Sequence, residues 1–395
     1  MDWNFLIKNR DSIIVTTDSR KVTPGCVFVA LKGEHFDGND YVEQAKASGA
    51  EYVIAGPNAL TELQELAREW RRYLGIPIIA ITGTNGKTTT KELTAAVLST
   101  NYNLWYTQGN LNNAIGVPLT LLSISRAHEL AIVEMGASHP GDIKELVDIA
   151  EPNYGLITNV GKAHLAGFGS FEGVQKTKAE LYNYLATHPD TSKGVFVNEQ
   201  NPLLVAMLTS AYHKPNLSLT PSYTYTPVDL PKGSHLIGSY NAENVGAAIA
   251  IGEAFGISRK TAYRAIRDYI PSNNRSQFIE TTNNQVVADC YNANPTSMQA
   301  AINSFDGDCY ILGEMGELGD YAHTEHQNIV NMLAERKAAS VFLVGNEFKK
   351  TTTTYPIYND VDSLKDYLLT QPLTHKKILV KGSRTNRLEK ILEVL

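Results

Sequence analysis

The sequence has only three cysteines, Cys26, Cys290 and Cys309, spread over 395 residues. Cysteines this few and this scattered exclude a disulfide framework and a zinc site, and they fit thiols in a reducing cytosol. Long apolar runs are missing as well. None approaches the roughly 20 residues of a membrane helix, so no membrane insertion is expected. The first residues, MDWNFLIKNR, lack the basic-then-apolar order of a signal peptide, and a cytoplasmic location is the expectation. There is also no positive excess. A net charge of −6 argues against general affinity for nucleic acid.

What is present is the composition of a globular protein, 43% hydrophobic and 19% charged, in a chain too long for one ordinary core. Two or three domains are expected. Residues 60–74, LTELQELAREWRRYL, put Leu60, Leu63, Leu66, Ala67, Trp70 and Leu74 on one helical stripe that Gly75 and Pro77 end, which marks a boundary near residue 76. Before it, VFVAL and YVIA read as strands around a helical YVEQAKAS. After it, IIAIT leads into KELTAAVLST, LAIVEM into DIKELVDIA, and YGLITNV into a glycine-rich loop. Strands separated by such helices imply a parallel sheet, whose ligands gather at the carboxyl ends of the strands. All three strands end in polar clusters: GTNGKTT, EMGAS and NVGKAH. Helical NAENVGAAIAIGEAFG and SRKTAYRAIRDYI close this region near Pro271. Alternation then restarts at QVVADCY and runs through CYILGEM, SVFLVG and KKILVKGS to RTNRLEKILEVL. The fold expected is α/β throughout, with domains at 1–76, 77–271 and 272–395 and a hinge at Pro271–Asn274.

The stretch IIAITGTNGKTTTKEL reads as a strand, a phosphate loop and a helix. Backbone N–H groups converge on an anion where a helix begins, and the helix dipole adds to the attraction. Gly83, Thr84, Asn85, Gly86, Lys87, Thr88 and Thr89 form the loop, with Lys87 directed at the β/γ oxygens and the Thr88 hydroxyl at magnesium. Ile81 stands where the ordinary pattern has its first glycine. Glu134, ending LAIVE, offers the oxygen ligand that a hard cation wants. His164 ends the next polar cluster. In FEGVQKTKAEL, either Lys176 or Lys178 could belong to the site or to a plain charged helix face.

G-T-N-G-K-T after an apolar strand resembles the ATP loop of the Mur ligase superfamily, the ATP-dependent amide-forming enzymes of peptidoglycan synthesis, and its shortened glycine spacing is the family's own. The resemblance spans nearly the whole chain and implies three α/β domains: a small UDP-substrate domain, a central ATPase domain and a Rossmann-like C-terminal domain. E-M-G-A-S and N-V-G-x-A-H resemble the family's metal-binding segments, implying Glu134 and His164 as magnesium ligands beside Thr88. K-A-E matches the family's lysine segment, implying Lys178 as a carbamylated ligand of a second ion. GSYNAENVGAAIA resembles the adenine segment and implies Asn244 as the base contact, with Tyr240 where histidine is usual. Arg275 and Asp289 resemble residues that the third domain brings to the γ-phosphate and ribose. Ser19 and Arg20 resemble uridine-nucleotide contacts, and Asn112 and Asn113 are implied near magnesium and the substrate carboxylate.

Within the superfamily, YNANPTSMQAAI, ILGEMGELG and LVKGSR resemble the type that joins D-alanyl-D-alanine to UDP-N-acetylmuramoyl-tripeptide (UDP-MurNAc-tripeptide). The D-N-P-R of the diaminopimelate-adding type is missing. The resemblance therefore implies ATP, two Mg²⁺ ions, those two substrates and a monomer. Two other readings stay open: an amide ligase of the superfamily with another acceptor, and a nucleotide-binding regulator without catalysis. Retention of Lys87, Glu134, His164 and Lys178 together speaks against the regulator.

Overall fold

The computed structural model describes residues 14–212, 221–272, 274–307 and 309–395. Residues 1–10, read above for a leader, and Asn273 of the expected hinge lie outside the described residues.

The first sheet is small and parallel, in the order β1 (Val15–Thr16), β2 (Val27–Val29), β3 (Tyr52–Ile54). The helix Ala59–Leu74 follows, with Leu63, Leu66, Ala67 and Trp70 buried as its stripe demands, and Gly75 ends it in a left-handed conformation. This helix fastens the first sheet to the next unit. The Trp70 indole donates to the Ile124 carbonyl at 2.9 Å, and the Arg71 guanidinium donates to the carbonyls of Ala150 and Glu151 at 3.1 and 2.9 Å. Those carbonyls close the helix Asp142–Ala150, so a cation meets the negative end of a helix dipole.

The second sheet holds β4 (Ile78–Thr82), β5 (Leu104–Tyr106), β6 (Leu130–Glu134), β7 (Tyr154–Ile157), β8 (Gly194–Asn198) and β9 (Ser222–Tyr225). It is wholly parallel, in the order β5-β6-β4-β7-β8-β9. Helices cover both faces, which is why β4 and β6 read as unbroken apolar runs and every residue of each is buried. From central β4 the chain runs to β5 on one side and later to β7 on the other. Such a reversal opens a crevice at the carboxyl ends of the strands. The ends at Thr82, Glu134 and Ile157 are therefore neighbours, as the three polar clusters anticipated.

The third sheet holds β10 (Gln277–Glu280), β11 (Gln285–Asp289), β12 (Cys309–Gly313), β13 (Ser340–Val344), β14 (Ile357–Tyr358) and β15 (Lys377–Lys381), in the order β10-β11-β15-β12-β13-β14. Two features depart from the expectation. β10 pairs antiparallel with β11, because only the short turn Thr281–Asn284 joins them. The terminal RTNRLEKILEVL forms two 3₁₀ segments, Arg384–Asn386 and Leu388–Val394, since Arg387 between them takes a positive φ of 52°. The three thiols are buried.

Candidate active site

At the end of β4 the chain turns through Gly83 and Gly86, at φ 139° and 78°, into the helix Lys87–Leu98. Both glycines are required twice over, by their positive φ and by close neighbours. A Cβ on Gly83 would strike the Thr158 hydroxyl, and one on Gly86 would strike the Asn244 side chain. Asn159 braces the loop, its carbonyl accepting from Thr84 N and its side chain from Asn85 N, each at 2.9 Å. The N–H groups of Lys87, Thr88 and Thr89 open the helix and so have no partner within it. Free N–H groups at a helix start are suited to an anion.

The Lys87 ammonium donates to the carbonyls of Gly83 and Thr84 at 2.8 and 3.0 Å. Burial pushes it down to about 8, the Glu134 carboxylate opposes the shift, and the Arg275 charge adds to it. A lysine ready to lose its proton near pH 8 binds polyphosphate only while charged, and a bound anion would hold that proton on. ATP affinity is therefore expected to fall by about tenfold between about pH 7 and about pH 9. Calorimetric titration across that range checks it, and a flat profile would separate Lys87 from the phosphates.

Glu134 is 1% exposed. Its Oε1 accepts from the Asn112 amide at 2.8 Å, and its Oε2 is buried with no hydrogen-bond partner. A desolvated carboxylate oxygen without a donor is costly unless a cation meets it. Thr88 and Lys87 face the same cavity. Among the described residues no group of three or more His, Cys, Asp or Glu could hold a metal by itself. One carboxylate and one hydroxyl suit magnesium, which keeps water and takes phosphate oxygens for the rest of its shell.

His164 follows β7 in a left-handed conformation, and its Nδ1 pairs with the Glu317 carboxylate. That contact holds the Glu317 carboxyl below its ordinary value. On the helix Phe171–Thr187 the two candidate lysines separate. Lys176 is exposed, whereas Lys178 is 2% exposed, with its ammonium 5.7 Å from the centre of the Phe168 ring. Burial pushes Lys178 well below its usual value, and the Lys87 charge adds to the shift. Both effects favour the neutral, nucleophilic form of the Lys178 amine.

The third unit closes over the crevice. Asn294 donates to the Asn85 side chain at 2.7 Å, Thr296 accepts from Lys162 N at 3.1 Å, and Glu325 pairs with Lys162 Nζ at 2.8 Å. Arg275 stacks 3.8 Å above the Tyr291 ring. Asp289 accepts from Ser276 N at 3.1 Å and from the Lys381 ammonium at 2.6 Å. The cleft between the units measures about 1210 Å³. Thr84–Thr89, Asn112, Asn113, Glu134, His164, Asn244, Arg275 and Asp289 all line it.

Gly83, Lys178, Ser19 and Arg20 do not line this cavity. Gly83 is buried beneath the loop and Lys178 within its helix bundle, while Ser19 and Arg20 follow β1 in the first unit. The Arg20 fork is held by Asp18 at 2.8 and 2.9 Å. Asn113, read as facing a ligand, turns its oxygen to Gly116 N at 2.9 Å and so opens the helix Gly116–Leu122. The Asn244 oxygen accepts from the Thr90 hydroxyl at 3.0 Å and its amide donates to Asn241 at 2.8 Å, tying the adenine-like segment to the phosphate-loop helix. Tyr240 shares a 2.6 Å hydrogen bond with the Ser276 hydroxyl across the two units. Asn159, Lys162, Asn294, Glu317 and Glu325 were not legible beforehand as site residues. Asn159 and Lys162 do sit inside the quoted segment NVGKAH, Asn294 inside YNANPTSMQAAI and Glu317 inside ILGEMGELG.

The Mur ligase family catalytic domain model matches residues 13–98, the Mur ligase middle domain model residues 81–252, and the Mur ligase glutamate ligase domain model residues 274–384. The UDP-N-acetylmuramoyl-tripeptide–D-alanyl-D-alanine ligase of Bacillus subtilis (strain 168) is 33% identical, over 96% of this chain and 92% of its own. The protein of the same name from Escherichia coli (strain K12) is 32% identical, over 96% and 93%. A crystal structure of MurF from Acinetobacter baumannii superposes with a TM-score of 0.83 at 27% identity, covering 96% of this chain and 92% of that one.

Proposed function

The chain belongs to the Mur ligase family, and from that premise we propose that it joins D-alanyl-D-alanine to UDP-MurNAc-tripeptide at the expense of ATP. The observation that carries this reading is the single cavity where the phosphate loop, the orphaned Glu134 oxygen and Arg275 of the third unit meet. Near full-length similarity to ligases of that name supports the substrates.

The tripeptide's terminal carboxylate oxygen attacks the γ-phosphorus of ATP, the bond to the β,γ-bridging oxygen breaks, and ADP leaves. The neutral amine of D-alanyl-D-alanine then adds to the acyl carbon. The carbon–oxygen bond to phosphate breaks, and the amine's proton passes to solvent. Activation is needed because a carboxylate is a poor electrophile, and the protein's share is positioning and neutralising charge. Lys87 and the first-turn N–H groups hold the β/γ oxygens, while Arg275 meets charge on the transferring phosphoryl group. The closed third unit keeps water from the acyl phosphate.

Thr88 and Glu134 would hold one magnesium ion, and His164 with a carbamate on Lys178 a second; bound there, the ions would neutralise phosphate charge. The Lys178 amine adds to CO₂, forming a carbon–nitrogen bond and releasing one proton, which turns a buried base into an oxygen ligand. Asn244 contacts the base, Asp289 the ribose, Ser19 and Arg20 the uridine diphosphate, and Asn112 and Asn113 the substrate carboxylate. The units correspond to 1–76, 77–271 and 272–395, working as a cytoplasmic monomer. Mass spectrometry of a mixture of Mg·ATP, UDP-MurNAc-tripeptide and D-alanyl-D-alanine tests the reading. The nucleotide product should gain the dipeptide less one water, and an unchanged tripeptide would refute it.

A further inference from the structure

Lys91, one helical turn beyond Lys87, is a charged side chain with no exposed surface at all, and the mechanism above gives it no task. Its ammonium has three protons and meets three groups. It donates to the Thr107 carbonyl at 2.6 Å, pairs with Glu92 at 3.1 Å and lies 5.5 Å from the centre of the Tyr106 ring. Burying an ion pair rarely stabilises a fold more than apolar packing of the same volume, so the location of this charge asks for another reason.

Thr107 supplies it. This residue is also fully buried and prolongs edge strand β5 by donating its N–H to the Ile132 carbonyl at 3.0 Å. Its hydroxyl accepts from Glu134 N at 3.0 Å. Past Thr107 the chain crosses the end of β6, where Asn112 holds Glu134 Oε1 at 2.8 Å and accepts from Gly136 N at 2.7 Å. The segment from Thr107 to Asn112 is therefore a strap that grips Glu134 at its backbone, at its side chain and just beyond. Lys91 pins one end of that strap to the helix whose first turn carries Thr88. Among the described residues, this bond is what ties the strap to the phosphate-loop helix at this corner.

We propose that Lys91 is a positioning residue that, through Thr107, sets the placement of the Glu134 carboxylate relative to Thr88. The inference rests on the reading of those two residues as magnesium ligands. Removing such an outer support lowers metal affinity by about tenfold or more while leaving the ligands in place.

The test uses the full chain, ADP and Mn²⁺, whose bound fraction is read by electron paramagnetic resonance alongside calorimetry of ADP with and without the ion. Lys91→Met removes the donors at similar length, and Thr107→Val removes the hydroxyl while keeping the carbonyl. Both should bind metal-free ADP as the wild type does and Mn²⁺·ADP about tenfold more weakly. If either folded variant binds Mn²⁺·ADP as tightly as wild type, the proposal is overturned. Should Lys91→Met fail to fold, Thr107→Val decides alone by the same two outcomes. A wild type whose ADP affinity ignores Mn²⁺ would refute the magnesium reading itself, a result distinct from any difference between variants.

Discussion

Lys87→Ala is expected to lower turnover by about a thousandfold, the upper range for removing one preorganised charge from a transferring group. The fold should survive, because the Lys87 ammonium bonds only to the carbonyls of its own loop and packs in no core. Steady-state kinetics with all three substrates, together with thermal unfolding, would separate the two effects. Turnover within about threefold of wild type would take this loop out of the chemistry. The other outcome to watch is a large fall in melting temperature, which would make Lys87 a structural residue.

Lys178→Ala should be nearly as damaging, for a different reason. The wild-type amine is buried, which favours its neutral form, and as a carbamate it would present oxygens to a metal. Alanine leaves a space that a small carboxylic acid can enter, so added acetate or formate should restore part of the lost activity. Lys176→Ala is the internal control and should be close to wild type, since its side chain is exposed. A dead Lys176→Ala beside an active Lys178→Ala would reverse the assignment. Absence of rescue, with Lys178→Ala otherwise folded, would favour Lys178 as a buried support for Phe168.

The two lysines also show where the sequence is and is not legible. Residues two apart on a helix point about 200° away from each other, so only one of them can face the bundle, and spacing alone does not say which. The core of the second sheet was open to reading because both faces are covered and β4 and β6 became continuous apolar runs. β5, with three residues, was too short to stand out. The antiparallel β10 is half-exposed and carries no continuous apolar run to mark it. In RTNRLEKILEVL the apolar spacing is helical, but the positive φ at Arg387 breaks the segment into 3₁₀ turns.

The candidate site was legible where one segment carries its own chemistry: a phosphate loop, a glutamate at a strand end, a histidine in a glycine-rich turn. Partnerships between distant segments were not. Lys162 with Glu325, Asn85 with Asn294, and Lys91 with Thr107 depend on which strand lies beside which and how the units close. Asn113 and Asn244 show a related limit. Both line the cavity, and each side chain also holds a helix in place, a second task that no local pattern announces.

Phosphate release measured with Mg·ATP and UDP-MurNAc-tripeptide, with and without D-alanyl-D-alanine, tests the central claim most directly. The account predicts continuous release only when both substrates are present, one phosphate for each amide formed, because the acyl phosphate waits between the two units for the amine. Release at the same rate without D-alanyl-D-alanine, or none with both substrates present, would contradict it.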